Sequence, residues 1–317
     1  AVPKREGRRE AWSASDVVMI TYADSIYGGE AAPLASLRGF LRTQMGGMIS
    51  HVHLLPFFPF TSDDGFAVSD YREVDPVNGT WEDIENLSED VELVFDLVIN
   101  HASASHRYFQ EFLEDKPPGN GYFMTADQYA DVSQVTRPRA SPLLQPYETA
   151  AGVRWVWCSF SRDQVDWDFS NPEVLYEFVD IFLTYIERGA SWMRLDAIAF
   201  LWKELGTSCI HRPQTHAFVK LLRVLSEEIS SDIRLLTETN VTLAENLSYF
   251  GDGDEAHIIY NFSLPPLLVH ALVTGQSGYL TAWCRSLPQL SPGCTYLNFT
   301  ASHDGIGLRP AEGILDA

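Results

Sequence analysis

The segment SWMRLDAIAF, residues 191–200, is apolar enough for a buried strand, yet it contains Arg194 and Asp196. Because alternate side chains of a strand share a face, these two charges point into the same space. An unpaired ion in a protein interior costs several kcal/mol. Two interpretations stay open at this point: a structural ion pair, or a charged active site at the end of the strand.

Three further apolar segments end in the same way. DLVINH contains Asp96 and ends in His101, LLTETN carries Glu238, and TASHD carries His303 and Asp304. Polar ends on four strands are hard to explain by packing alone. In a (β/α)8 barrel the carboxyl ends of the strands converge on one face, so these groups would meet in one pocket.

The rest of the sequence supplies the elements that such a barrel requires. Short β-rich apolar runs alternate with amphipathic segments of helical length, such as PEVLYEFVDIFLTYIERG at 172–189. This alternation predicts βα units and a parallel sheet. The predicted strands are VVMITYA (17–23), SHVHLLPFF (50–58), VELVFDLVINH (91–101), SWMRLDAIAF (191–200), IRLLTETN (233–240), AHIIYNFSL (256–264) and TYLNFTASHD (295–304).

Residues 102–171 interrupt this alternation. The interval is rich in Pro, Gly, Tyr and Asp, includes KPPGNGY and TRPRASPLLQPY, and has no clear helical period. It is too long for an ordinary loop and predicts a small subdomain inserted after the third strand. We therefore expect residues 1–101 to form the first part of a catalytic barrel, 102–171 the inserted subdomain, and 172–317 the continuation of the barrel to its seventh strand.

The composition of the chain restricts the binding partners and the cellular compartment that we expect. With 317 residues and 45% hydrophobic content, the chain can bury a large core. Its 22 basic and 43 acidic residues give a net charge of -21, which repels the backbone of nucleic acids. The four cysteines form no CxxC pair, which indicates neither a zinc site nor a disulfide framework, and no apolar run is long enough to span a bilayer. We expect a cytoplasmic protein that binds neither nucleic acid nor membrane; its oligomeric state stays open.

The motifs DLVINH, RLDAIAF, TETN and SHD, in this order, resemble the four motif regions of the α-amylase superfamily, glycoside hydrolase family 13. The resemblance runs through nearly the whole chain and implies a (β/α)8 TIM barrel. Within the family, the sucrose phosphorylase branch is similar at residues 54–76, 136–144, 160–169 and 203–216. The segment IHRPQTH (210–216) and the run from LTETN to FSLPP (236–266) resemble glucosylglycerate phosphorylases more closely than sucrose phosphorylases proper.

The resemblance implies roles for the polar strand ends. Retaining cleavage of a glycosidic bond requires one carboxylate as nucleophile and a second carboxyl group as acid and then base. The matching positions are Asp196 for the nucleophile and Glu238 for the acid/base. Asp304 matches the third acid of the family, which stabilises the distorted sugar. Arg194 would hold Asp196 ionised, because a nearby cation lowers the pKa of a carboxyl group.

A glucosyl subsite and a phosphate site are implied as well. The residues that match sugar-contacting positions are Asp63, Phe66, His101, Phe160, Gln164 and His303. Core packing is the alternative interpretation of the two phenylalanines. Arg137 and Arg139 match a loop whose arginine meets phosphate, with Arg139 favoured; a solvated loop cation is the alternative. Asn100 matches a calcium-ligand position in amylases, but this branch implies no metal and no organic cofactor.

The function implied is that of a retaining α-glucosyl phosphorylase. It would transfer glucose from a small α-glucoside, with glucosylglycerate favoured, to inorganic phosphate as co-substrate. One alternative is a sucrose phosphorylase or another hydrolase or transglucosidase of the family. The other is an inactive fragment, because the chain stops 13 residues after Asp304, where the family continues with an eighth βα unit and a C-terminal β-domain. Seven strands leave the barrel open, so we expect an incomplete barrel with exposed strand edges.

Overall fold

A computed structural model gives the fold of the protein and describes residues 12–29 and 31–315. Its core is a parallel sheet of seven strands in the order β1-β2-β3-β9-β10-β11-β12. The strands in chain order are β1 (Val18–Thr21), β2 (His51–Leu54), β3 (Glu92–Val98), β4 (His101–Ser103), β5 (Thr125–Ala126), β6 (Leu144–Thr149), β7 (Gly152–Trp157), β8 (Gln164–Asp166), β9 (Ala190–Asp196), β10 (Arg234–Thr237), β11 (Ile258–Tyr260) and β12 (Thr295–Leu297). Within the described residues, β1 and β12 are the two edges of this sheet, which is the arc of an open (β/α) barrel.

Helices connect the sheet strands. The α-helices found in the described residues are α1 (Pro33–Phe40), α2 (Trp81–Ser88), α3 (Arg107–Leu113), α4 (Pro172–Glu187), α5 (Pro213–Ile229), α6 (Leu243–Leu247), α7 (Leu264–Thr274) and α8 (Gly278–Ser286). The sequence marks several of their starts. Thr80 and Asp83 form a capping box before α2, and Asn171 caps α4, whose first residue is a proline. In this part of the chain no helix has the length and apolarity needed to cross a membrane.

The central strands are buried on both faces, which explains why their sequences do not alternate cleanly. Residues on one face, such as Phe95 and Leu195, belong to the large core shared with the surrounding helices, including Phe178 and Tyr185 of α4. Residues on the other face form a separate interior cluster around Trp192. At the carboxyl ends this interior face becomes polar, because the strands end in charged residues there.

The segment between β3 and α4 carries two small antiparallel sheets, β4-β8 and β5-β7-β6. It also contains α3, where the sequence analysis found no helical period. The buried face of α3 consists of Tyr108, Phe109 and Phe112, which pack within this segment. A helix of seven residues is too short to show the repeated amphipathic pattern by which helices were predicted. The boundaries at 102 and 171 stay a prediction.

Each of the seven predicted strands is present, but most are shorter than the apolar runs that predicted them. The largest difference is at TYLNFTASHD (295–304), where β12 ends at Leu297. Phe299 packs edge-on against the rings of Tyr260 and Phe262, at 5.5 Å in each case, so the chain turns inward after the strand. His303 and Asp304 therefore lie in a loop beyond the strand, and their placement depends on the turn.

Candidate active site

A cavity of about 440 Å³ opens at the carboxyl ends of the sheet strands. Every site residue predicted from the sequence lines it. These are Asp63, Phe66, His101, Arg137, Arg139, Phe160, Gln164, Arg194, Asp196, Glu238, His303 and Asp304. A larger cavity of about 770 Å³ lies at the amino ends of the strands, around His51, Glu92 and Trp192, and its described lining includes none of the predicted residues. The chemistry of the strand ends thus identifies the smaller cavity as the candidate active site.

Arg194 connects two aspartates on neighbouring strands. Its Nη1 donates to Oδ1 of Asp196 at 2.8 Å and also to Asp96 on β3. The guanidinium lies over the rings of Phe66 and Tyr260, at 5.5 and 5.8 Å from their centroids. Such a buried cation is held in one orientation by its partners. The ion pair and the active site, which were alternatives at the sequence level, are therefore parts of one arrangement.

Asp96 is in turn bound by a histidine of β2. His53 Nε2 lies 2.7 Å from Asp96 Oδ2, and both residues are buried. Burial alone would raise the pKa of Asp96, but Arg194 and His53 lower it to about 2. Asp96 therefore stays ionised and supplies a permanent counter-charge for Arg194. The chain of contacts from His53 to Asp196 orients the carboxylate that ends β9.

Burial raises the pKa of Asp196 well above its ordinary value, and it outweighs the opposing effect of Arg194; Glu238 contributes to the increase. Burial likewise raises the pKa of Glu238, with Asp304 contributing. Each of the two carboxyl groups is therefore harder to ionise than the same group in water. Arg194 donates a hydrogen bond to Asp196, which favours the ionised form of that residue. The ion pair with Arg194 therefore suits Asp196 to act as the ionised member of the two carboxyl groups.

Backbone geometry links the two carboxyl groups. The N–H of Ala197, directly after Asp196, donates to Glu238 Oε2 at 3.0 Å. Ala197 has φ +47°, a left-handed conformation that is uncommon for a residue with a side chain. The N–H of Glu238 donates to the carbonyl of Leu195 at 3.1 Å. The strained turn after β9 therefore positions the second carboxyl group relative to the first.

The polar residues expected at the sugar end lie together. Gln164 Nε2 donates to Asp63 Oδ2 at 2.7 Å, and His101 Nε2 donates to the carbonyl of Phe66 at 2.9 Å. The Phe66 ring stacks on the ring of His303 with centroids 5.4 Å apart. The turn before Phe66 requires glycine, because Gly65 has φ +107° and an added Cβ would lie 2.8 Å from the carbonyl oxygen of Pro56.

The side chains of His303 and Asp304 face each other across 3.3 Å, measured from Nε2 to Oδ2. Among the described residues neither ring nitrogen of His303 makes a hydrogen bond, although both nitrogens are buried. Burial lowers the pKa of His303. A neutral imidazole with unused polar atoms in a pocket is suited to bind a hydroxyl group.

The two predicted phosphate residues differ in their surroundings. Arg137 donates to the carbonyl of Ser141 within its own loop, which gives it a structural contact. Arg139 is exposed, lines the cavity, and makes no hydrogen bond or ion pair with the described residues. Of the two, Arg139 is the one whose guanidinium stays available for a ligand.

The cavity is also lined by residues that the sequence did not point to, among them Tyr22, Asp64, Asn240 and Arg309. Tyr22 follows β1 and Asn240 follows β10, so the same rule about carboxyl ends of strands would have identified them. Asp64 directly follows Asp63, which was predicted to contact the sugar. Arg309 had no such signal, because it belongs to a turn well beyond the last strand.

Asn100 matches a calcium-ligand position in amylases. In this structure the cation beside Asn100 is the ammonium group of Lys203. Its Nζ donates to Asn100 Oδ1 at 2.8 Å and lies 3.0 Å from Asp166 Oδ2. Asp166 also accepts hydrogen bonds from the N–H and hydroxyl of Ser159, at 2.9 and 2.6 Å. The Lys203 side chain is 3% exposed. This buried pair fastens the end of β3 to the inserted segment.

Replacing Lys203 by methionine is expected to destabilise the protein by about 3–5 kcal/mol, because it leaves the carboxylate of Asp166 buried without its cation. Urea unfolding at pH 7 measures the effect. The matched control is Lys220→Met, since Lys220 pairs with Asp254 on the surface and is worth at most about 1 kcal/mol. Equal effects for both variants would show that the Lys203 pair has no special structural role.

The class of the protein is defined by its parallel barrel strands and by the carboxyl groups at their ends. Residues 44–283 match the family described as the alpha-amylase catalytic domain, and the chain belongs to this family.

The chain is 52% identical over 301 residues to the glucosylglycerate phosphorylase of Spirochaeta thermophila, covering 95% of this chain and 51% of the relative. The same enzyme of Allomeiothermus silvanus is 48% identical, with 98% and 56% covered. The crystal structure of sucrose 6F-phosphate phosphorylase from Thermoanaerobacter thermosaccharolyticum has a TM-score of 0.84 at 26% identity, with 96% of this chain and 63% of that chain covered. The chain spans about half the length of the curated relatives.

Proposed function

We propose that the protein is a retaining α-glucosyl phosphorylase that takes glucose from a small α-glucoside, with glucosylglycerate favoured, and gives α-glucose 1-phosphate. The observation that carries the proposal is the convergence of Asp196 and Glu238 in one cavity of this fold. The identity of 52% to a glucosylglycerate phosphorylase supports the choice of substrate.

In the first step, an oxygen of Asp196 attacks the anomeric carbon of the glucosyl group. The bond from that carbon to the bridging oxygen breaks, and Glu238 donates its proton to the departing oxygen. Asp304 and the imidazole of His303 hold the distorted sugar ring. The products are a glucosyl ester on Asp196 and a free alcohol.

In the second step, an oxygen of phosphate attacks the same carbon from the opposite side. The ester bond to Asp196 breaks, and the carboxylate of Glu238 takes the proton of the attacking phosphate hydroxyl. Two inversions give net retention, so the product is α-glucose 1-phosphate. Water in place of phosphate would give hydrolysis, which is the alternative that an assay must separate.

The test is phosphate-dependent release of α-glucose 1-phosphate by the protein expressed from its complete gene. Glucosylglycerate, glucosylglycerol and sucrose are offered as donors, with and without phosphate. The proposal expects the largest kcat/KM for glucosylglycerate and an absolute need for phosphate in forming the product. Release of free glucose at equal rates with and without phosphate would identify a hydrolase instead.

Arg139→Ala is expected to raise the KM for phosphate by roughly 10- to 100-fold, because a charge-assisted bidentate contact to the anion is lost. Formation of the glucosyl ester and slow hydrolysis should persist, since Arg139 has no contact with Asp196 or Glu238. Phosphate saturation curves and the rate of ester formation are measured separately. An unchanged phosphate KM, with collapsed donor cleavage, would make Arg139 a sugar-binding or structural residue.

A further inference from the structure

The loop that follows Asp304 packs against the loop that follows Glu238. A Cβ on Gly307 would lie 2.8 Å from Nδ2 of Asn240, so the side chain of Asn240 packs directly against the backbone of Gly307. The loop is anchored by Pro310, which is buried and whose carbonyl accepts a hydrogen bond from Ser263 Oγ at 2.8 Å. Arg309 lies between Gly307 and Pro310, is exposed, and so lines the rim of the cavity that Asn240 also lines.

This rim is where the leaving alcohol of a glucoside must lie. Glu238 protonates the bridging oxygen in the proposed mechanism, so the alcohol part of the substrate extends from Glu238 toward the residues that follow it. Residues 239–241 and 307–309 line the same cavity at this end. The hydrogen-bonded pair of Asp63 and the buried Gln164 is left for the glucosyl ring.

Arg309 carries an uncompensated positive charge there. It is exposed and has no carboxylate within 4.0 Å among the described residues, whereas Arg38, Arg72 and Arg212 each pair with an acid. The acid whose charge it influences is Glu245, and that carboxylate is engaged by the N–H and hydroxyl of Thr242, at 3.0 and 2.8 Å. In a chain with a net charge of -21, an unpaired arginine facing a cavity is suited to bind an anion.

We propose that Arg309 determines specificity by binding a carboxylate on the leaving alcohol, so that the preferred substrates are α-glucosides of hydroxy acids. The inference rests on the proposed function. Arg139, on the opposite loop, serves the incoming phosphate, whereas Arg309 distinguishes acidic from neutral alcohols.

The test uses α-glucosyl fluoride as donor, which forms the glucosyl ester without phosphate. The acceptors are D-glycerate and glycerol, which differ only in a carboxylate in place of a hydroxymethyl group. For Arg309→Gln, in the protein expressed from its complete gene, the ratio of kcat/KM for glycerate to that for glycerol should fall by roughly 10- to 100-fold. Arg309→Lys should retain part of the ratio, and Arg285→Gln, on the exposed surface of α8, should leave it unchanged.

Calorimetric titration with glycerate gives a second measurement that needs no turnover: the Arg309→Gln variant should bind it at least about tenfold more weakly. An unchanged acceptor ratio, or unchanged glycerate binding, overturns the inference. An equal fall in the ratio for Arg139→Gln would also overturn it, because the two arginines would then form a single unspecialised anion site. Failure of the proposed function is distinguishable, since it appears as the lack of phosphate-dependent product while the acceptor ratio can still be measured.

Discussion

Asp196→Asn is expected to lower glucosyl transfer by several orders of magnitude in the protein expressed from its complete gene. An amide oxygen is a poor nucleophile and gives no stable glucosyl ester, so the first step of the double displacement is lost. The substitution preserves the size of the side chain and leaves an oxygen that can accept the hydrogen bond from Arg194 Nη1. The expected loss is therefore chemical, and the melting temperature should change little by comparison.

Two measurements decide this prediction. Initial rates with the preferred glucoside and phosphate give the loss of kcat, and mass spectrometry of protein quenched during turnover with α-glucosyl fluoride reports the ester on Asp196. Asp180→Asn is the matched control, because Asp180 is an exposed carboxylate of α4 paired with Arg72. Near-normal turnover of Asp196→Asn would remove this residue from the mechanism.

Glu238→Gln is expected to reduce the cleavage of glucosides with poor leaving groups by about 10²- to 10⁴-fold, which is the usual contribution of a general acid. The loss should be far smaller with α-glucosyl fluoride, because fluoride needs little protonation to depart. Burial raises the pKa of Glu238, and a raised pKa favours the protonated form that a general acid requires.

The pH profile provides an independent check. The pKa of Glu238 is raised, so the wild-type protein should lose kcat/KM for alcohol-bearing donors as the pH rises through that value. This decline at high pH should disappear in Glu238→Gln, since glutamine does not titrate. Equal losses with both kinds of donor, or an unchanged profile, would contradict the role of general acid/base.

The fold could be predicted from the sequence to a large extent, because its signals are local. Six of the seven sheet strands lie within predicted apolar runs, and β9 begins one residue before its run, at Ala190. The helix α4 (Pro172–Glu187) nearly coincides with its amphipathic pattern at 172–189. Strand ends were less predictable. The predicted run 295–304 continues past Leu297, where the strand ends, and Phe299 beyond it packs on Tyr260. Hydrophobicity is the same for a strand and for a buried loop, so it does not mark this boundary.

The sequence by itself determined which side chains at the ends of the strands enter the cavity, since carboxyl ends of parallel strands converge and side chains alternate along a strand. That is why Asp196 and Glu238 were predicted correctly as cavity residues. Only the tertiary structure decided how they are held. The contacts between His53 and Asp96, between Lys203 and Asp166, and between Gly307 and Asn240 join segments distant in the chain. Such contacts depend on strand register and on how the side chains of distant segments pack, and these are properties of the packed interior that no local pattern of residues encodes.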